Sequence, residues 1–331
     1  MTLFEIVKKN RLSVNPDIKD SSVTMYCCNI KKLSKFMNDG EIVEGIEWLK
    51  DFEKVKKKLN GEDLQYTSIR NYMNSAMIYL HCFEEHDLIK IYTDYRDQLN
   101  HKYEESNASG TWSDKQGKNV VSMDELKKLI QEIGDEIKFR KLKEKGILGQ
   151  INTYDRSLIQ LYMILSVHII LPMRNDLAMM KVIKKQKYNG LTDEQKKLNN
   201  YLVVERSNMF FVLNDYKTSR VYKEKIIVLP QELRRLMRFY LQLLPTTEYL
   251  LTKNDGDPLS KNGLSQLLIK ATKKRLNKSI STCMLRKIYL SEKYSGIKDE
   301  MEKDSHNMCH SVGTALNIYV KKEEEKNSQE D

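Results

Sequence analysis

Residues 158–176 read LIQLYMILSVHIILPMRND, an apolar run that ends in a proline and then an arginine. Almost every position from Leu158 to Met173 is aliphatic, but Gln160, Ser166 and His168 interrupt the run. It also falls short of the roughly 20 residues that a bilayer span needs. The pattern predicts a buried helix over 158–170 inside a globular domain. Pro172 suits the first turn of a helix, where its missing N–H is not needed, so Arg174 is expected at the start of a second helix.

Downstream of this stretch the period changes. Residues 208–215 (NMFFVLND) and 224–229 (EKIIVL) are strand-like, split by Tyr216-Lys217-Thr218-Ser219-Arg220, which predicts a hairpin with Lys217 at its rim. Helices are expected over 231–244, 262–274 and 282–294, with a charged tail over 321–331. Upstream, Ser122-Met123-Asp124-Glu125 is a capping box that starts a helix bearing Leu126, Leu129 and Ile130. Before it lies a polar, glycine-bearing stretch, 104–119 (EESNASGTWSDKQGKN). Residues 113–119 are taken as a linker between a domain over 1–112 and another over 120–331. The first domain reads as four helices without strand signals: one after Ser21-Ser22, one from Gly45 towards Leu59, one from Thr67-Ser68, and one over 87–103. The fold class predicted is mainly α: a helical N-terminal domain and a mostly helical second domain with a small hairpin or sheet.

The 331 residues suit two domains, and 40% hydrophobic content is enough for real cores. A net charge of +10 makes an anionic partner plausible, nucleic acid first, although richness in Lys, Asn, Ile and Tyr also reflects A+T-biased coding. Lys31, Lys32, Lys35, Lys54, Lys56, Lys57, Lys58 and Arg70 are candidates to line DNA phosphates, or are simply solvated helix faces. Five scattered cysteines without a Cys-x-x-Cys pair fit a reduced intracellular protein. The opening Met1-Thr2-Leu3-Phe4-Glu5 turns acidic too soon for a signal peptide, and no membrane association is expected.

The chemistry-bearing residues cluster late. His310 lies in Met308-Cys309-His310-Ser311, and Tyr319, nine positions on, in Asn317-Ile318-Tyr319-Val320. Arg286 lies in Cys283-Met284-Leu285-Arg286-Lys287, and Arg174 in the stretch quoted first. Nine residues of unbroken helix turn about 900°, which puts His310 and Tyr319 on opposite faces. Sharing one substrate therefore requires a break, for which Ser311-Val312-Gly313-Thr314 is suited: Gly313 to bend the chain and Thr314 to cap the next helix.

In this order Arg174, Lys217, Arg286, His310 and Tyr319 resemble the catalytic pattern of the tyrosine recombinase (phage integrase) family, over most of residues 120–322. The Arg174-Asn175-Asp176 form of the first box is similar to members from eukaryotic mobile elements and large DNA viruses. The resemblance implies a site-specific recombinase that cleaves and rejoins double-stranded DNA through a 3′-phosphotyrosine. It implies a clamp of two domains around the duplex, a homotetramer on two sites, and no metal or other cofactor. Chemically, a phenol with a pKa of about 10 needs cations and a proton acceptor beside it before it attacks phosphorus. Arg174 and Arg286 would fork onto the nonbridging oxygens, Lys217 would protonate the leaving 5′ oxygen, and His310 would bond the phosphate or assist proton transfer. Lys223 and Lys225 lie near enough in sequence to replace Lys217.

Two positions depart from the family. Cys283 stands three before Arg286, where histidine or lysine is usual, and a thiol is a weak hydrogen-bond partner. Leu177 stands three after Arg174, where an acid is usual, with Asp176 displaced by one. The alternatives are a type IB topoisomerase and a DNA-binding relative that has lost catalysis. A zinc site using His306, Cys309 and His310 matches no known spacing well, and His81, Cys82 and His86 read as helix-face residues.

Overall fold

A computed structural model of the chain describes residues 1–108, 110–245, 248–309, 311–314 and 316. The chain is mainly helical with one small sheet, the class its periodicities predict, and divides into two compact units, Met1–Trp112 and Ser113–Asp331.

In the first unit the helix Asp20–Met37 buries Val23, Cys27, Ile30, Leu33 and Met37, a stripe at helical spacing. It packs on Tyr66–His81, which in turn packs on the long helix His86–Ala108. A further helix, Leu3–Val14, precedes them and is closed by a Thr2–Glu5 capping box that the periodicity reading missed. The helix expected from Gly45 towards Leu59 is two helices, Glu47–Lys50 and Phe52–Gly61. Asp51 makes the break: its carboxylate accepts the Lys54 N–H at 3.0 Å and so caps the second helix instead of extending the first. Tyr92 is wholly buried, and its hydroxyl is satisfied by the Leu49 carbonyl at 2.9 Å.

The polar stretch 104–119, which includes the linker expected over 113–119, is partly helical. His86–Ala108 runs into it, and Ser113 caps a short helix, Asp114–Gly117. Lys278 Nζ bonds the Lys118 carbonyl at 2.8 Å, and the Ser279 N–H bonds Asn119 Oδ1 at 2.6 Å, so residues 118–119 belong to the second unit's packing. The Ser122 capping box forms as its sequence requires and opens Met123–Phe139.

That helix packs on Thr153–Ile170, which lies at the centre of the second unit and also meets Gln231–Leu243. The polar residues inside the quoted apolar run have internal tasks. Gln160 donates to the Thr252 carbonyl at 2.7 Å, and His168 is held between the Ile164 and Met173 carbonyls. Asp155, fully buried near the helix start, is neutralised by Arg140 at 2.7 Å. The sheet order is β1 (Lys181–Lys184), β2 (Tyr201–Val204), β3 (Met209–Leu213), β4 (Lys225–Val228). β1 pairs parallel with β2, and two short helices, Lys185–Asn189 and Asp193–Lys197, make the crossover. β3 pairs antiparallel with β2 and with β4, Leu213 facing Lys225, so the expected hairpin is present with two unanticipated strands beside it.

Candidate active site

Leu171 leaves the Thr153–Ile170 helix in a non-helical conformation (φ −132°, ψ 87°), as a residue before proline must. The second helix predicted at Arg174 does not form. Arg174 is extended (φ −72°, ψ −164°) and exposed, and it precedes a single 3-10 turn, Asn175–Leu177. Helix continuation is blocked because Leu177, Ala178 and Met180 are drawn into the core while Met179 adopts a left-handed φ of 59°. The chain thereby turns into β1.

Asn175 fixes this turn to two distant elements. Its amide donates to the Lys261 carbonyl at 3.0 Å and to Ser265 Oγ at 2.9 Å, both on the helix Lys261–Leu276. Its Oδ1 accepts the Thr282 hydroxyl at 2.6 Å. Thr282 is the first residue of the helix Thr282–Asn307, which carries Arg286 one turn later. Buried Asn200 plays the same part for the other edge. It donates to the Asp176 carbonyl (3.4 Å) and the Asp215 carbonyl (3.0 Å), and its Oδ1 accepts the N–H groups of Asn214 and Asp215, each at 2.9 Å. The root of the Lys217 loop is thus tied to the Arg174 turn.

Asp176 sits among these pieces. Burial pushes its carboxyl above the ordinary aspartate range, while Lys261, Arg174 and Arg286 pull the other way and Asp215 adds to the rise. Arg174 and Arg286, 112 positions apart in sequence, therefore both lie within electrostatic reach of one carboxyl. Leu177, three residues after Arg174, is fully buried in the core, and the acid within electrostatic reach of the cations is its neighbour Asp176. Arg286 also bears on His168, whose ring is pushed down to about 4, chiefly by complete burial. At neutral pH His168 is uncharged and has a single N–H, which donates either to the Ile164 carbonyl at 2.7 Å or to the Met173 carbonyl at 3.1 Å, the latter immediately before Arg174.

Arg286 Nη1 is buried and has no hydrogen-bond partner among the described residues. A buried guanidinium N–H without an acceptor is uncommon enough to point to a ligand oxygen. Lys217 is exposed, two residues beyond Asp215, whose carboxylate pairs with Lys261 Nζ at 3.3 Å. Lys223 on the same connection and Lys225, the first residue of β4, are exposed. Cys283 lies at the i−3 position from Arg286 on the helix surface and is also exposed.

His310 and Tyr319 lie outside the described residues. Just before them the Thr282–Asn307 helix ends, and Cys309, not Gly313, takes the left-handed φ of 57°. Ser311, not Thr314, supplies the cap: its Oγ accepts the Thr314 N–H at 3.1 Å. The Thr282–Asn307 helix thus ends ahead of His310, and its left-handed residue lies two positions before Ser311.

Asn175, Asn200 and Lys261 were not singled out from the sequence. Asn175 stands inside the Arg-Asn-Asp box, the one local signal available; the other two declare themselves only through partners far along the chain. In the first unit, part of the basic set is already engaged: Lys58 pairs with Asp39 at 3.1 Å, and Arg70 stacks 4.3 Å from the Tyr103 ring centre. Lys31, Lys32, Lys35, Lys54 and Lys57 are exposed. Among the described residues no group of three His, Cys, Asp or Glu side chains is placed to hold a metal ion, and no helix is long and apolar enough to cross a membrane.

Neither a family model nor a curated relative matches the chain. A solved structure described as "Crystal structure of XerA recombinase" aligns with 94% of this chain and 91% of that chain, at 15% identity and a TM-score of 0.32. So loose a likeness bears on neither mechanism nor substrate.

Proposed function

We propose that the chain breaks and rejoins double-stranded DNA as a tyrosine-recombinase-type enzyme. The observation that carries this reading is the buried Arg286 Nη1, without an acceptor among the described residues, together with Arg174 and Arg286 both lying within electrostatic reach of buried Asp176. Two guanidinium groups converging on one phosphate are the arrangement that grips a phosphodiester and stabilises the charge of its transition state. The net charge of +10 supports a polyanionic partner.

In the proposed reaction the Tyr319 oxygen attacks phosphorus and its proton passes to a nearby acceptor, with His310 assisting. The bond to the 5′ oxygen breaks, and Lys217 protonates that oxygen as it leaves. The product is a 3′-phosphotyrosine, whose bond energy lets a 5′ hydroxyl from another strand reverse the step. The chemistry proceeds without a cofactor. Four copies on two DNA sites would exchange strands. The exposed Cys283, in place of the usual histidine or lysine, favours one second reading: a DNA-binding protein without catalysis.

Nicked suicide duplexes, which trap the covalent product, separate the two. A protein–DNA adduct that Tyr319→Phe abolishes is the expected result. Tight binding with no adduct would replace the enzyme by the binder.

A further inference from the structure

The connection between β3 and β4 exposes large apolar side chains. Val221 is 72% exposed and Tyr222 69%, both on the short helix Ser219–Tyr222. Lys217, Lys223 and Lys225 lie around them, also exposed. The single acid between Tyr216 and Lys225 is Glu224, and the Tyr188 hydroxyl bonds it at 2.9 Å.

This connection has a built shape. The hydroxyl of buried Tyr216 donates to the Lys223 carbonyl at 2.8 Å, and the Lys223 N–H donates to the Ser219 carbonyl at 2.8 Å. Between these bonds Lys223 takes φ 54°, ψ −148°, a region that is almost glycine's alone. A lysine held there means the surrounding bonds impose the conformation, and its result is to keep Val221 and Tyr222 outward. Exposed apolar side chains need a partner surface, and a cationic surround selects one that is anionic at its rim and apolar within. Stacked base pairs between two phosphate chains have that character.

We propose that Val221 and Tyr222 form a wedge that enters a base step of duplex DNA, with Lys223 and Lys225 on the flanking phosphates. The inference rests on the proposed function. Asn200 ties the loop's root to the Arg174 turn, so the unstacked step lies near the phosphate that Arg174 and Arg286 hold. Site choice then depends partly on how easily a step unstacks, with no contact to a base edge.

Fluorescence anisotropy with the full chain tests this without knowledge of the target site. The probes are a fully paired duplex and the same duplex with one abasic position, where unstacking is already done. Wild type should bind the abasic duplex about tenfold tighter, whereas V221S/Y222S should bind the paired duplex within about threefold of wild type and lose the preference. I226S/V228S, on exposed positions of β4 itself, should keep it. Equal binding of both duplexes by wild type, or a preference that survives in V221S/Y222S, overturns the wedge. So does loss of self-association in V221S/Y222S with the duplex preference intact, which would assign the patch to a protein contact. Adduct formation without abasic preference removes the wedge alone; absence of any duplex binding removes the DNA reading with it.

Discussion

Asn175→Ala should loosen the second unit more than loss of any exposed charge in it. The substitution removes three hydrogen bonds, but they are unequal. The Lys261 carbonyl can turn to water, and Ser265 Oγ already reaches that carbonyl at 3.3 Å. Thr282 is only 4% exposed, so its hydroxyl is left without an acceptor in a place water enters poorly. At about 1 kcal/mol for each net bond, with an added penalty for the stranded hydroxyl, the expected cost is about 2–3 kcal/mol. Urea unfolding of the full chain followed by far-ultraviolet circular dichroism measures it. Tryptophan fluorescence would not, because Trp48 and Trp112, the chain's two tryptophans, both lie in the first unit. Thr282→Val removes the partner, and the double substitution should show a coupling of about 1 kcal/mol. Adduct yield should fall further than stability explains, since a shift of about 1 Å between Arg174 and Arg286 is enough to cost about a hundredfold in rate. A cost below about 0.5 kcal/mol, or strict additivity with Thr282→Val, would refute the reasoning.

Other perturbations address the chemistry and the core. Arg174→Ala or Arg286→Ala should retain duplex binding within a few-fold by anisotropy while adduct formation falls about 100- to 1,000-fold, and retained turnover would reject their assignment. Lys217→Ala should be rescued by a duplex whose 5′ leaving atom is sulfur, which needs no proton; failure of rescue moves the acid to Lys223 or Lys225. His168 titrates near 6.5 when unfolded and about 4 when folded, so the unfolded chain binds its proton first. Its contribution is therefore complete above pH 6.5 and is lost as pH falls towards 4, by about 3 kcal/mol; denaturation at pH 7 and pH 4.5 should show a slope that His168→Gln reduces.

What could be read from the sequence was local. The 158–170 helix, the Ser122 capping box, the β3–β4 hairpin and the helices near 231, 261 and 282 each announce themselves through a period or a cap within a few residues. β1 and β2 do not: four residues each, separated by two short helices, they hold too few alternations to outvote the lysines around them. The split at Asp51 and the failure of a helix after Pro172 were equally illegible. There a side-chain cap and the demand to bury Leu177 and Met180 override helical periodicity.

For the site, the chain's own order of Arg174, Lys217 and Arg286 determined which residues to examine, because residue chemistry is a property of the sequence alone. Only the folded structure decided that Leu177 is core, that Arg174 and Arg286 both come within electrostatic reach of Asp176, and that Asn175 and Asn200 hold the pieces together. Those bonds join positions as far as 107 residues apart, and no periodicity reaches that distance. Convergence comes from the packing of whole helices around Thr153–Ile170, which places short polar side chains where each can bridge two backbones.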